Sequence, residues 1–122
     1  IHQLDAARVI TNENTLLTKR TIHQAHIYRW TNGADKRTIE GILHYPLGLS
    51  ERKNLPLLAL IHDGPFLASI NQFNTGAGLW VPLAATEGWL VLEPNYRGSS
   101  GYGDQFLEEI RCHPLSRAGG DI

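Results

Sequence analysis

Hydrophobic residues change their spacing along the chain, and each change predicts a different element. Residues Arg8 to Leu17 set Val9 and Ile10 before an Asn-rich turn and Leu16 and Leu17 after it, the pattern of two short strands joined as a hairpin. Ala25 to Thr31 then alternates, with His26, Tyr28 and Trp30 on one face and Ile27 and Arg29 on the other. Asn32-Gly33 follows, and both residues tolerate the positive φ of a tight turn. Thr38 to Tyr45 alternates again, Ile39, Gly41, Leu43 and Tyr45 against Thr38, Glu40, Ile42 and His44, so a second hairpin is expected. Pro46 ends it by lacking an N–H, and Leu47 to Asn54 reads as polar loop.

The period is lost after Pro56. Leu57 to Ile61 is apolar throughout, which predicts a strand of a parallel sheet covered by helices on both faces. Trp89 to Leu92 repeats the pattern and is expected to close at Pro94. Between them Leu79, Trp80, Leu83 and Ala84 fall at helical spacing over Leu79 to Glu87, with Pro82 in the first turn and Gly88 just past the end. Strand, helix, strand of this kind crosses over right-handedly and leaves its two strands parallel neighbours. Asp104 is suited to cap a further helix reaching about Arg111, with Phe106, Leu107 and Ile110 on its buried side. The fold class is α/β.

Composition narrows what such a fold could do. At 122 residues the chain is at most one modest domain. Its net charge is -1 and it holds no basic block, so neither nucleic acid nor an anionic membrane is an expected partner. No apolar stretch approaches the roughly 18 residues that span a bilayer. The sequence begins without the basic-then-apolar order of a secretory signal, and the compartment, cytoplasmic or secreted, stays open. The single Cys112 cannot form an intrachain disulfide, and with His113 alone beside it offers too few ligands for zinc. His23 and His26 have a helical spacing, but their segment reads as strand and no thiol or carboxylate joins them, so no metal or cofactor is expected. Methionine is absent, and the chain is expected to be part of a longer one that continues past Ile122.

Ligands of open α/β sheets sit beyond the carboxyl ends of the strands, which singles out two loops. The first is His62-Asp63-Gly64-Pro65-Phe66. Gly64 can present a backbone N–H with no side chain in the way, the donor an oxyanion hole needs; a plain glycine turn is the simpler alternative. The second is Asn95-Tyr96-Arg97-Gly98-Ser99-Ser100-Gly101-Tyr102-Gly103, whose glycine spacing is neither the dinucleotide fingerprint nor a phosphate loop. No serine sits in a G-x-S-x-G elbow, so a hydrolase triad cannot be completed from these residues.

The two loops together carry a resemblance. The order Trp30-Thr31-Asn32-Gly33, Ile39 to Pro46, Leu55 to Leu58, His62-Asp63-Gly64-Pro65, Glu87 to Gly103 and Phe106 resembles the prolyl oligopeptidase family of serine peptidases, nearest the acylaminoacyl-peptidase and dipeptidyl-peptidase V branch. That resemblance implies residues 1–24 as the end of a β-propeller with its linker. It implies residues 25–122 as the N-terminal portion of an α/β-hydrolase domain. The family's His-Gly-Gly-Pro aligns with His62 to Pro65, so Gly64 inherits the oxyanion donor, with His62, Asp63, Pro65, Tyr96, Arg97 and Gly98 in the substrate-site loops. Short or N-acylated peptides are the implied substrates. Asp63 departs from the family glycine: a carboxylate about 4 Å from a developing oxyanion costs roughly 4 kcal/mol at an effective dielectric near 20 unless it points away. Arg97 is expected to tie its loop down through hydrogen bonds, and Tyr96 and Tyr102 to pack with a polar tip. The alternatives are a catalytically inactive interaction module and, more weakly, another esterase of the same fold. Alone, the chain is expected to be inactive and poorly soluble, since so few elements leave sheet surface bare.

Overall fold

A computed structural model describes residues 8–13, 15–48, 53–72 and 79–122. Four strands form one mixed sheet in the order β1-β2-β4-β3. β1 (Gln24–Thr31) and β2 (Thr38–Tyr45) are the anticipated hairpin, paired from Gln24 with Tyr45 to Thr31 with Thr38. β2 also pairs antiparallel with β4 (Leu90–Asn95), and β3 (Leu57–Ala59) runs parallel to β4, as a strand–helix–strand crossover requires.

Helix α1 (Trp80–Thr86) supplies the crossover and packs on β4 and β2. Its buried residues are Val81 and Ala85, one turn apart, which share a core with Ile42 and Val91. This corrects the expected face: Leu79, Trp80 and Leu83 are each more than half exposed, Trp80 67%. On the opposite face of the sheet Ile39 is fully buried beside Trp30. α2 (Asp104–Glu108) buries Phe106, and Ile110 follows it into the core. Asp104 is the first helical residue rather than the cap, a place Gly103 takes. α3 (Pro114–Asp121), unforeseen in the sequence because Gly119 and Gly120 weaken its helical signal, starts on a proline whose missing N–H costs nothing there.

Three further expectations are corrected. Residues 8–13 form no strand, and Leu17–Lys19 is a single 3-10 turn; Val9, Ile10 and Leu16 are all exposed, and a lone hairpin with no core to cover is at best marginal in water. β3 is shorter than Leu57 to Ile61 and lies at the edge of the described sheet, and Leu57 is 54% exposed instead of covered on both sides. β4 runs through Pro94 to Asn95: β3 pairs only with Leu90 to Leu92, so at Pro94 one edge of β4 has no ladder to interrupt.

Candidate functional site

Both loops chosen from the sequence leave the sheet at adjacent points, because parallel β3 and β4 end on the same side. The backbone laces them together. Phe66 N–H donates to Gly98 O at 2.9 Å and Ser100 N–H to Leu67 O at 3.0 Å. Gly98 has φ +96 and its Cα faces the Ile110 side chain, so any Cβ there would collide with the core. A glycine is thus the residue that lets the second loop lie on α2, where Gly98 N–H reaches Phe106 O.

His62, Tyr96 and Ser99 hold the first loop from below. The His62 and Tyr96 rings stack with centroids 4.5 Å apart, and the Tyr96 hydroxyl donates to His62 O at 2.9 Å. Ser99 is fully buried and donates its only hydroxyl proton to Tyr96 O at 2.7 Å. Its oxygen therefore accepts from His62 Nε2 at 2.9 Å, which places the proton of a neutral His62 on Nε2. Burial pushes the Tyr96 phenol above its ordinary pKa, and the charge of Asp63 adds to the rise, so this hydroxyl stays a donor at any physiological pH.

With the carbonyls of His62 and Gly64 both turned toward Tyr96, the Gly64 N–H donates to no described residue. Gly64 is exposed, has φ +48, and has open space where a Cβ would stand. Its use is therefore the left-handed turn and not close packing. Asp63 and Pro65 are exposed beside it.

Arg97 is held by carboxylates. It is 6% exposed, and Asp121, 1% exposed, accepts from Arg97 N–H at 2.9 Å, Nε at 2.9 Å and Nη2 at 2.7 Å. Asn32 Nδ2 adds a fourth donor at 2.8 Å, and Asp35 takes Nη1 of Arg97. These bonds raise the Arg97 pKa further, while the Arg37 N–H and then the Arg97 guanidinium hold the Asp35 carboxyl below its ordinary value. The arginine thereby fastens the second loop to α3 and the β1–β2 turn.

Three supports escaped the sequence reading: Ser99, Asp121 and Asn95. Asn95 pairs twice with the Ser69 backbone, Ser69 N–H donating to Oδ1 at 2.7 Å and Nδ2 donating to Ser69 O at 2.9 Å, and so anchors the chain beyond Phe66. The signal available was the Asn-Tyr-Arg-Gly-Ser string itself, polar residues directly after a buried strand. Of the two histidines weighed for metal, His26 lies edge-on to Tyr45 while His23 meets His44 elsewhere on the sheet. Among the described residues no group of three or more His, Cys, Asp or Glu could hold a metal, and no helix is long and apolar enough to cross a membrane.

No family model matches the chain. It is 40% identical over 68 residues to a probable dipeptidyl-peptidase 5 of Emericella nidulans, 55% of this chain and 9% of that protein. It is 35% identical over 74 residues to dipeptidyl-peptidase 5 of Aspergillus oryzae, 60% of this chain and 10% of that protein. In three dimensions it matches Pyrococcus horikoshii acylaminoacyl peptidase with TM-score 0.75 at 22% identity, covering 93% of this chain and 17% of that one. The chain is related to prolyl oligopeptidase-family peptidases. An acylaminoacyl peptidase solved with Z-Gly-Gly-Phe-chloromethyl ketone matches with TM-score 0.74 at 21% identity, covering 91% of this chain and 17% of that one. The mixed sheet is thus that of the α/β-hydrolase fold of these peptidases. The chain spans about a tenth of the length of the curated relatives it matches.

Proposed function

We propose that this chain forms the oxyanion-loop portion of a serine-type peptidase that releases N-terminal acyl-amino acids or dipeptides from short peptides. The observation that carries the reading is the Gly64 N–H, left without a described partner on a turn whose carbonyls are both drawn toward Tyr96. Such a fixed donor has its hydrogen-bonding capacity in reserve for an oxygen that gains charge as the tetrahedral intermediate forms. The nucleophile, its histidine base and the orienting acid belong to residues outside these 122. Residues 1–24 are the end of a propeller and its linker, and residues 25–122 open the hydrolase domain. Arg97 and Gly98 act by holding the loop pair together, with His62, Asp63, Pro65 and Tyr96 bordering the scissile carbonyl. Asp63 is exposed, so its carboxylate has water to turn into and does not oppose the oxyanion.

The test is the full-length protein with N-acyl-aminoacyl and dipeptidyl chromogenic substrates, alongside labelling by a fluorophosphonate. Turnover blocked by the label is expected. A folded protein that neither turns over these substrates nor takes the label refutes the peptidase reading and leaves the inactive interaction module.

A further inference from the structure

A second cluster of titratable groups lies on the α1 side of the sheet, sharing no residue with the loop pair. Glu93 accepts a hydrogen bond from His44 Nε2 at 2.7 Å, and His44 Nδ1 lies 3.1 Å from His23 Nε2. His44 is buried and Glu93 nearly so. A carboxylate only accepts, so His44 carries a proton on Nε2 and, as the neutral imidazole, accepts at Nδ1. His23 must then donate from Nε2, which leaves its Nδ1 as the accepting end of a directed chain. One added proton at that nitrogen makes His23 an imidazolium without breaking either hydrogen bond.

His23 also borders a cavity. Its volume is about 430 Å³, in the range of small-ligand sites, and His23, His44 and Glu93 line it together with Ile22, Ala25, Leu47, Leu79, Val81 and Pro82. Those three are the titratable groups among its described lining residues, none of which is a lysine or arginine.

We propose that this cavity binds a small organic acid with an apolar body, its carboxylate accepting a hydrogen bond from protonated His23 and its hydrocarbon lying against Leu47, Leu79 and Val81. Burial lowers the His23 pKa from its ordinary value, so above neutral pH His23 is uncharged in the free site. The anion therefore binds together with a proton taken from solvent onto His23 Nδ1. Glu93, through His44, favours that proton and makes the uptake possible.

The test is calorimetric titration of the full-length protein with octanoate, 1-octanol serving as the uncharged control, between pH 6 and 9 and in two buffers of different ionisation enthalpy. Octanoate should bind at least tenfold more tightly than octanol at pH 7, take up about one proton at pH 8, and weaken about tenfold per pH unit above that. His23→Gln should bind octanoate no better than octanol, and Glu93→Gln should start to lose octanoate at lower pH, each variant being checked for native circular dichroism. The wild-type measurements need no variant to fold. Absent binding, equal affinity for octanol, binding without proton uptake, or unchanged octanoate affinity in a folded His23→Gln protein would each overturn the proposal.

Discussion

Exchanging Arg97 for Met, Asp121 for Leu, and both together tests the joint on which the candidate site rests. Both partners are almost wholly buried, and the Asp121 carboxylate receives four donors between 2.7 and 2.9 Å from Arg97 and Asn32. Removing either partner strands a buried charge, a loss of about 3–5 kcal/mol. Asp35 remains to Arg97 when Asp121 is gone, but it is half exposed and offsets little of this. The double variant leaves no stranded charge and should recover about 2–3 kcal/mol relative to the sum of the singles. Amide exchange read by mass spectrometry on peptides covering 95–99 and 114–121 of the full-length protein isolates the effect. At about 1.4 kcal/mol per factor of ten, each single variant should exchange there roughly a hundred- to several-thousand-fold faster. Single variants within threefold of wild type, or losses that simply add, would show that the buried pair does not hold the loop.

Four further outcomes are expected. Gly98→Ala places a methyl group against Ile110 at φ +96 and should lower stability by about 2–4 kcal/mol, seen as a reduced urea midpoint. Ser99→Ala removes the acceptor of His62 Nε2, costs about 1–3 kcal/mol, and, on the proposed peptidase reading, should lower kcat of the full-length protein more than it raises KM. The folded-state pKa of His23 lies below its ordinary 6.5, so the folded state binds fewer protons than the unfolded one; His23's contribution to stability is complete above about pH 6.5 and lost as pH falls through the folded value. A stability–pH curve that is unaltered in His23→Gln would contradict this. The 122 residues expressed alone should aggregate through Leu57, Ile61 and the outer face of α1; a monomer with a sharp thermal transition would refute that.

The β1–β2 hairpin and the β3–α1–β4 crossover were legible because each rests on local signals: strict alternation around Asn32-Gly33, and two apolar runs flanking a helical period. The inward face of α1 was not, since Leu79, Trp80 and Leu83 outweigh Val81 and Ala85 in any count of apolar residues, yet only the small pair fits against Val91. Proximity of the two loops followed from the parallel crossover. Their supports did not, because Asp121 meets Asn32 across 89 positions, a separation at which no sequence period operates. Arg97 announced a need for carboxylates without saying which.

That separation also fixes an order of events during synthesis. At about 5–20 residues per second the ribosome takes some 4–18 s to travel from Asn32 to Asp121. Through this interval the hairpin can close, but its Asn32 side chain has no carboxylate to receive its amide, and Arg97 emerges with only Asp35 to meet it. The loop pair is therefore locked by a residue made after all four of the described strands. A nascent chain halted before Asp121 would carry all four described strands without the carboxylate that ties the loop pair to them.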